Sequence, residues 1–191
     1  MGRKGHCREH ILDADTGVLS HKGYNGSGIK ESVEAANVPK GSFYNHFASK
    51  EAFVVEALER LACERIKIIE PILVFDKASP KQRLLIFFDA EHENYKQNNF
   101  TCCYLFGNHC LEMSDENEAI RTATSDIMRH FVKLIANCLS DAQKANEYKP
   151  IELAEFIYSA WEGSLMRTKG KQNSHPYKIF RRQIASYFLN P

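Results

Sequence analysis

The run 26–51, GSGIKESVEAANVPKGSFYNHFASKE, constrains this chain more than any other feature, because it spells two short helices joined by a tight turn. Ser27 is suited to cap the first, its hydroxyl accepting an orphan backbone N–H, with Glu31 and Glu34 lying toward the positive N-terminal end. That helix is predicted over 29–36, and Asn37 ends it, since asparagine tolerates the left-handed conformation such a turn demands. Val38 plugs the turn, and Pro39 suits the first position of the next helix, where its missing N–H is not needed. The second helix, predicted over 39–47, has only Phe43 and Phe47, spaced i, i+4, to anchor it inward. Lys40, Gly41, Ser42, Tyr44, Asn45 and His46 occupy the remaining positions. A short helix with two inward anchors and hydrogen-bonding groups elsewhere suits the major groove of DNA.

Residues 26–51 resemble the helix-turn-helix of the tetracycline-repressor (TetR) family of bacterial transcriptional regulators. The resemblance rests on Ala36-Asn37-Val38, on Gly41-Ser42-Phe43-Tyr44, on His46-Phe47 and on Ser49-Lys50-Glu51. Asn37 stands where the family usually has glycine, and Ser32 where it usually buries a branched aliphatic, which implies either looser packing here or compensation by Val33. The resemblance implies that Lys40, Ser42, Tyr44, Asn45 and His46 contact DNA directly. By their chemistry, Tyr44 and Ser42 suit phosphate, Lys40 suits guanine edges or phosphate, and Asn45 and His46 suit base edges or backbone. Gly41 allows the duplex backbone to come close, while Ser27 and Lys50, at helix starts, suit phosphate positioning. Arg3 and Lys4 form either a minor-groove arm or a solvated tail.

Bulk charge adds little. The 191 residues carry a net charge of +1, and residues 1–50 hold seven Lys/Arg against five acids, a net of +2. Affinity for DNA would have to come from placement and dimerisation. Apolar content of 43% and charged content of 26% are ordinary for a soluble globular protein, and the length allows one large domain or a small one plus a larger one. Arg3, Lys4, Arg8 and Glu9 interrupt any leader-like apolar stretch, and no run is long enough to span a membrane. Cys7, Cys63, Cys102, Cys103, Cys110 and Cys138 read as cytosolic thiols, so the expected compartment is the cytoplasm. No cofactor, metal or catalytic residue is expected. His6-Cys7 with His10, and His109-Cys110 with Cys102 and Cys103, have metal-ligand types but no CxxC pair, and nothing resembles a nucleophile elbow.

The pattern is helical throughout, predicting an all-α chain of about nine helices. The first runs over about 8–21 and ends near Gly23, with a turn at 24–26. Ser49 caps a fourth helix whose inner stripe is Val54, Leu58, Leu61 and Ile68, and Pro71 ends it. Ser79-Pro80 starts a fifth, carrying Leu84, Leu85, Phe87, Phe88 and Tyr95, and Asn98-Asn99 breaks it. A sixth spans about 104–113. Ser114 or Asp115 caps a seventh, with Ile120, Ile127, Phe131, Leu134 and Cys138 on its apolar face. Pro150 opens an eighth with Leu153, Ala154, Ile157, Tyr158, Trp161 and Leu165; a loop over 170–176 leads to a ninth with Tyr177, Phe180, Ile184 and Phe188. Three short helices followed by six longer ones is also the family's layout. It implies a helix-turn-helix DNA-binding domain over 1–50 and a ligand-binding and dimerisation domain over 51–191.

A second motif, Thr101-Cys102-Cys103-Tyr104-Leu105-Phe106-Gly107-Asn108 ending in Leu111-Glu112, is similar to a segment at the start of the sixth helix in one subgroup of the family. Some of its members respond to electrophiles or oxidants through the cysteine that Cys103 matches. A thiol at a helix N-terminus has its thiolate stabilised, and Cys102 offers a second thiol; the other reading is that Cys103 is a small apolar core residue. Phe131 and Trp161 are candidates to line a ligand cavity, or are plain core. The function implied is a homodimeric regulator, paired through its last two helices, that leaves a palindromic double-stranded operator when a small-molecule or electrophilic inducer acts. The competing function is a cysteine-dependent redox enzyme or switch protein that does not act on DNA.

Overall fold

The computed structural model describes residues 3–75, 77–101, 104–140 and 149–188, the side chains of 3–7, 15, 16, 187 and 188 excepted. Among the described residues the fold is all-α. The helices are α1 Arg3–Gly26, α2 Ile29–Ala35, α3 Lys40–Tyr44, α4 Lys50–Leu73, α5 Pro80–Gln97, α6 Leu105–Met113, α7 Glu118–Ser140, α8 Pro150–Lys171 and α9 His175–Gln183. A π-helical turn, Ile184–Phe188, extends α9. By packing, Met1–Cys63 with Leu105–Ile127 forms one compact unit, and Glu64–Tyr104 with Met128–Pro191 forms another. The first unit reaches past residue 50 because Phe53, Val54, Ala57 and Leu58 of α4 are buried in its core.

In the first unit, Ile11, Leu12 and Leu19 of α1, Val33 and Ala36, and Phe43 and Phe47 are buried. The rings of Phe43, Phe47 and Phe53 form a triangle with centroids 4.8–5.2 Å apart, and the Arg8 guanidinium lies 5.1 Å from the Phe47 centroid. These contacts hold α3, which with five residues has little stability of its own. The turn between α2 and α3 is a Schellman motif. Asn37 adopts φ 51°, its N–H donates to the Glu34 carbonyl at 3.0 Å, and the Val38 N–H donates to the Val33 carbonyl at 2.9 Å. Ser32 is buried, and its hydroxyl donates to the Gly28 carbonyl at 3.3 Å, which satisfies it beside Val33.

In the second unit, Ser79 caps α5 by accepting from the Gln82 N–H, while the Gln82 side chain accepts from the Ser79 N–H at 3.0 Å. Leu84, Phe87, Phe88, Ile135, Leu139, Ala154, Ile157, Trp161, Leu165, Tyr177, Phe180 and Ile184 form the core. The Asp89 carboxylate accepts two hydrogen bonds from Arg181, at 2.7 and 2.9 Å, and one from the Tyr177 hydroxyl, which fastens α9 to α5.

Several local expectations are corrected. Ser27 does not cap α2: Gly28 holds the cap position without a side-chain bond. Pro39 is the N-cap of α3, in extended conformation, not its first helical residue. Pro71 does not end α4, which continues to Leu73. On α4 the buried position is Ile69, not Ile68, which is 56% exposed. Asn117 caps α7 in place of Ser114 or Asp115, its Oδ1 accepting from the Ile120 N–H at 3.0 Å. Finally, α8 runs through Gly170 to Lys171 and ends at Gln172 in the left-handed conformation, so the connection to α9 is shorter than 170–176.

Candidate nucleic-acid interface and sensing region

Phe43 is fully buried and Phe47 nearly so, and this orientation turns the opposite face of α3 outward. Lys40, Gly41, Tyr44 and Asn45 are exposed there, Tyr44 by 58%, with Ser42 and His46 half-buried at the margins. No hydrogen bond or ion pair ties the side chains of Lys40, Tyr44 or Asn45 to another described residue. A Cβ added at Gly41 would meet nothing within 4 Å, so internal packing does not require glycine at this helical position. These side chains thus form a compact set of donors on an exposed, aromatic-anchored helix.

Two of the expected phosphate contacts face elsewhere. Ser27 is 2% exposed, and its hydroxyl donates to the Tyr24 carbonyl at 3.1 Å, so it is not presented to a duplex. The Lys50 ammonium donates to the same carbonyl at 2.6 Å and lies 3.9 Å from the Tyr24 ring centroid. The Tyr24 hydroxyl donates to Glu51 at 2.6 Å. Burial, and then this bond, raise the phenol to about 12, while the same bond, working against burial, draws the Glu51 carboxyl below its ordinary range. Together Ser27, Lys50 and Glu51 lock the turn between α1 and α2 onto the start of α4. Sequence spacing could not show this, because the lock joins residues some 26 positions apart.

Cys102 and Cys103 lie outside the described residues. Phe131 and Trp161 are both buried in the second unit. Phe131 stacks on Tyr158 with centroids 6.2 Å apart and planes 16° from parallel. Trp161 is packed among Phe88 at 5.1 Å, Phe180 at 5.5 Å and Tyr177 at 5.8 Å, with Tyr95 at 6.2 Å. Beside these rings lies a polar group that the sequence pattern did not single out. Arg65 donates to Glu91 at 2.6 Å, the Tyr95 hydroxyl donates to Glu91 at 3.3 Å, and Tyr158 hydrogen-bonds Glu162. Burial raises the Glu162 carboxyl to about 7, the Tyr158 bond opposing only in part, and burial also pushes the Tyr158 phenol upward. The available signal was Glu91 and Glu162 standing one helical turn after the core residues Phe87 and Tyr158.

On the last two helices, through which two copies are expected to pair, the apolar residues Tyr158, Trp161, Leu165, Phe180 and Ile184 are all buried within the protomer, and the Phe188 side chain lies outside those described. The large apolar groups left outward on α8 and α9, among the described residues, are Ile151, Phe156, Met166 and Ile179, 41–51% exposed. Phe156, Ala160, Gly163, Arg167, Ile179 and Gln183 border an open groove of about 490 Å³ between those helices.

Among the described residues no helix is long and apolar enough to cross a membrane, and no group of three or more potential metal ligands is present. Residues 11–57 match the family model described as bacterial regulatory proteins, tetR family, and residues 80–183 match that of the transcriptional regulator LmrA/YxaF-like C-terminal domain. The chain is 33% identical over 177 residues to the HTH-type transcriptional repressor DhaR of Mycobacterium sp. (strain GP1), covering 91% of this chain and 87% of that one. It is 27% identical over 188 residues to the HTH-type transcriptional repressor NemR of Escherichia coli (strain K12), covering 96% and 94%. The crystal structure of E. coli NemR in its reduced form superposes with a TM-score of 0.83 at 26% identity, over 94% of this chain and 95% of that one. A regulatory protein TetR from Rhodobacter sphaeroides gives a TM-score of 0.86 at 26% identity, over 93% and 96%. The exposed donor helix therefore has a family to match: the chain belongs to the TetR family of bacterial transcriptional regulators, and is a DNA-binding regulator rather than an enzyme.

Proposed function

We propose that this protein is a cytoplasmic homodimeric repressor in which residues 1–50 read a palindromic operator and residues 51–191 dimerise and sense an inducer. The observation that carries the reading is α3: Lys40, Tyr44 and Asn45 stand exposed and unpaired on a face fixed by Phe43 and Phe47. Gly41 strengthens it, since glycine within a helix costs about 1 kcal/mol relative to alanine and nothing inside this chain requires it there. Close approach of a phosphate backbone supplies the reason. Lys40 and Tyr44 then position the duplex, and Asn45, with Ser42 and His46 at the margin, completes the contact set.

A second copy of the chain covers the α8–α9 groove. Phe156 and Ile179 leave apolar surface to water, while the small residues Ala160 and Gly163 allow close helix packing across a two-fold axis. A dimer so formed places its two reading helices about 34–36 Å apart, one turn of B-DNA. Inducers act by favouring a spacing the operator does not match, limited by their differential affinity for the two states. The ring and carboxyl cluster of Phe131, Tyr158, Trp161, Glu91 and Glu162 supports a reversible ligand site in the larger domain. A thiol mode at Cys103 is a second reading, supported by similarity to a repressor whose solved structure is described as a reduced form.

The experiment is a salt titration of binding to the palindrome that the protein selects from random-sequence DNA. Log affinity should fall linearly with log salt concentration, with a slope reporting several phosphate contacts. A flat profile with no preferred sequence would sink the operator reading. Treating the DNA complex with N-ethylmaleimide separates the inducer modes: release of wild type but not of Cys103→Ser supports the thiol mode, and equal release of both removes it.

A further inference from the structure

We infer that Glu112 of α6 is the residue that positions the DNA-reading helices, its carboxylate clamping the turn between α1 and α2. The inference rests on the DNA-binding reading of α3. The Asn25 backbone N–H donates to Glu112 Oε2 at 2.9 Å, joining residues 87 positions apart. Gly23, two residues earlier, interrupts α1 with φ 69° and ψ −170°, a conformation that L side chains rarely adopt. A Cβ at Gly23 would also collide with the Glu112 carboxylate. The turn and the carboxylate are thus fitted to each other twice, once by a hydrogen bond and once by the absence of a side chain.

What lies beyond the turn gives the clamp its consequence. Tyr24, between Gly23 and Asn25, is the hub of the first unit's polar contacts. Its carbonyl accepts from Lys50 at 2.6 Å and from the Ser27 hydroxyl at 3.1 Å, and its hydroxyl donates to Glu51 at 2.6 Å. Lys50 and Glu51 open α4 a few residues after α3 ends, and Ser27 precedes α2. A displacement of Asn25 therefore reaches the starts of both α2 and α4, which bracket the reading helix. The links to Glu112, Lys50 and Glu51 are hydrogen bonds to charged groups, stronger than neutral ones, while the link to Ser27 is a neutral one. Apolar packing does not account for Glu112: its neighbour Leu111 is 71% exposed, and α6 buries Gly107, His109 and Met113.

The other end of the clamp is α6 itself. The helix is nine residues long and begins at Leu105, directly after the 101–104 segment that carries the adjacent cysteines. A helix of that length is a rod of about 13 Å. Whatever shifts the start of α6 moves Glu112 with it, and Glu112 moves the turn. Glu112 is accordingly a positioning residue: it does not touch DNA, and it sets where α3 stands when DNA arrives.

The test uses the full-length chain, the duplex carrying the selected palindrome, and the variants Glu112→Ala and Glu112→Gln. Glu112→Ala should lower affinity about tenfold and reduce the slope of log affinity against log salt, because misplaced reading helices close fewer phosphate contacts. It should also speed hydrogen exchange at the Asn25 amide at least tenfold, with core amides of α7 unchanged. Glu112→Gln keeps an acceptor and should recover most of the affinity. A cycle combining Glu112→Ala with Tyr24→Phe should be strongly non-additive, since both act on one turn. Wild-type affinity and slope in Glu112→Ala would overturn the inference, as would additive effects in the cycle or faster exchange throughout the molecule. Absence of salt-dependent binding by the wild type would instead overturn the reading on which it rests.

Discussion

The Lys50 ammonium lies 3.9 Å from the centre of the Tyr24 ring and 2.6 Å from the Tyr24 carbonyl oxygen, so a residue placed to meet phosphate is engaged within the protein. The ring face attracts the cation, and the carbonyl takes one of its three donors. Lys50→Met keeps the stem and removes the charge. It should destabilise the fold by about 1–2 kcal/mol, the worth of one cation–π contact and one charged hydrogen bond. Chemical denaturation measures this, and the salt slope of DNA binding should change less than for a residue that meets phosphate.

Lys40 is the contrasting case, exposed and tied to no described partner. Lys40→Ala should leave thermal stability unchanged and lower the slope of log affinity against log salt by about one if it meets phosphate. Tyr44→Phe removes one hydroxyl from a side chain 58% exposed and should weaken binding without unfolding the protein. Unchanged DNA affinity in both variants would show that α3 is not the reading helix.

Phe156 and Ile184 separate dimerisation from folding. Ile184 is 1% exposed, so Ile184→Glu buries a charge in the core and should unfold the protomer. Phe156 is 50% exposed at the groove, so Phe156→Glu should yield folded monomers with strongly reduced operator affinity. Sedimentation with circular dichroism on the same samples distinguishes the outcomes. A Phe156→Glu protein that stays dimeric places the interface elsewhere.

Glu162 makes stability depend on pH. Burial raises its carboxyl from 4.5 to about 7 in the folded protein. A carboxyl raised on folding keeps its proton while the unfolded chain loses its own, so stability falls as pH climbs from 4.5 toward 7 and changes no further above that. Glu162→Gln removes the penalty. The variant should match wild type near pH 4 and exceed it by about 2 kcal/mol near pH 8, allowing for partial solvent screening. Denaturant midpoints at the two pH values test this, and equal differences at both would refute it.

Helix starts, stops and local faces could be read from the chain because neighbouring residues determine them. Asn37 ended α2 because few other residues tolerate φ near 51°. Ser79 and Gln82 capped α5 because the cap lies within three residues. Phe43 turned α3 inward, and although α3 stops at Tyr44, short of the expected 47, the Phe47 N–H still donates to the Phe43 carbonyl at 2.9 Å and Phe47 is buried beside it. The same reasoning led to the helix-turn-helix and to the family. It failed where an expected role depended on a partner distant in sequence. Ser27 and Lys50 sit at helix starts, yet their polar groups go to Tyr24, whose position follows from the bend at Gly23 and the reach of Glu112 from α6. Ile184 has the apolar character of an interface residue, and only the packing of α5, α8 and α9 shows it filled the protomer core, leaving Phe156 and Ile179 outside. Arg65, Glu91, Tyr158 and Glu162 lie on three helices, and only folding joins them. Local periodicity fixes which side of a helix is apolar. What that side meets, and which charges find partners there, is decided by long-range packing.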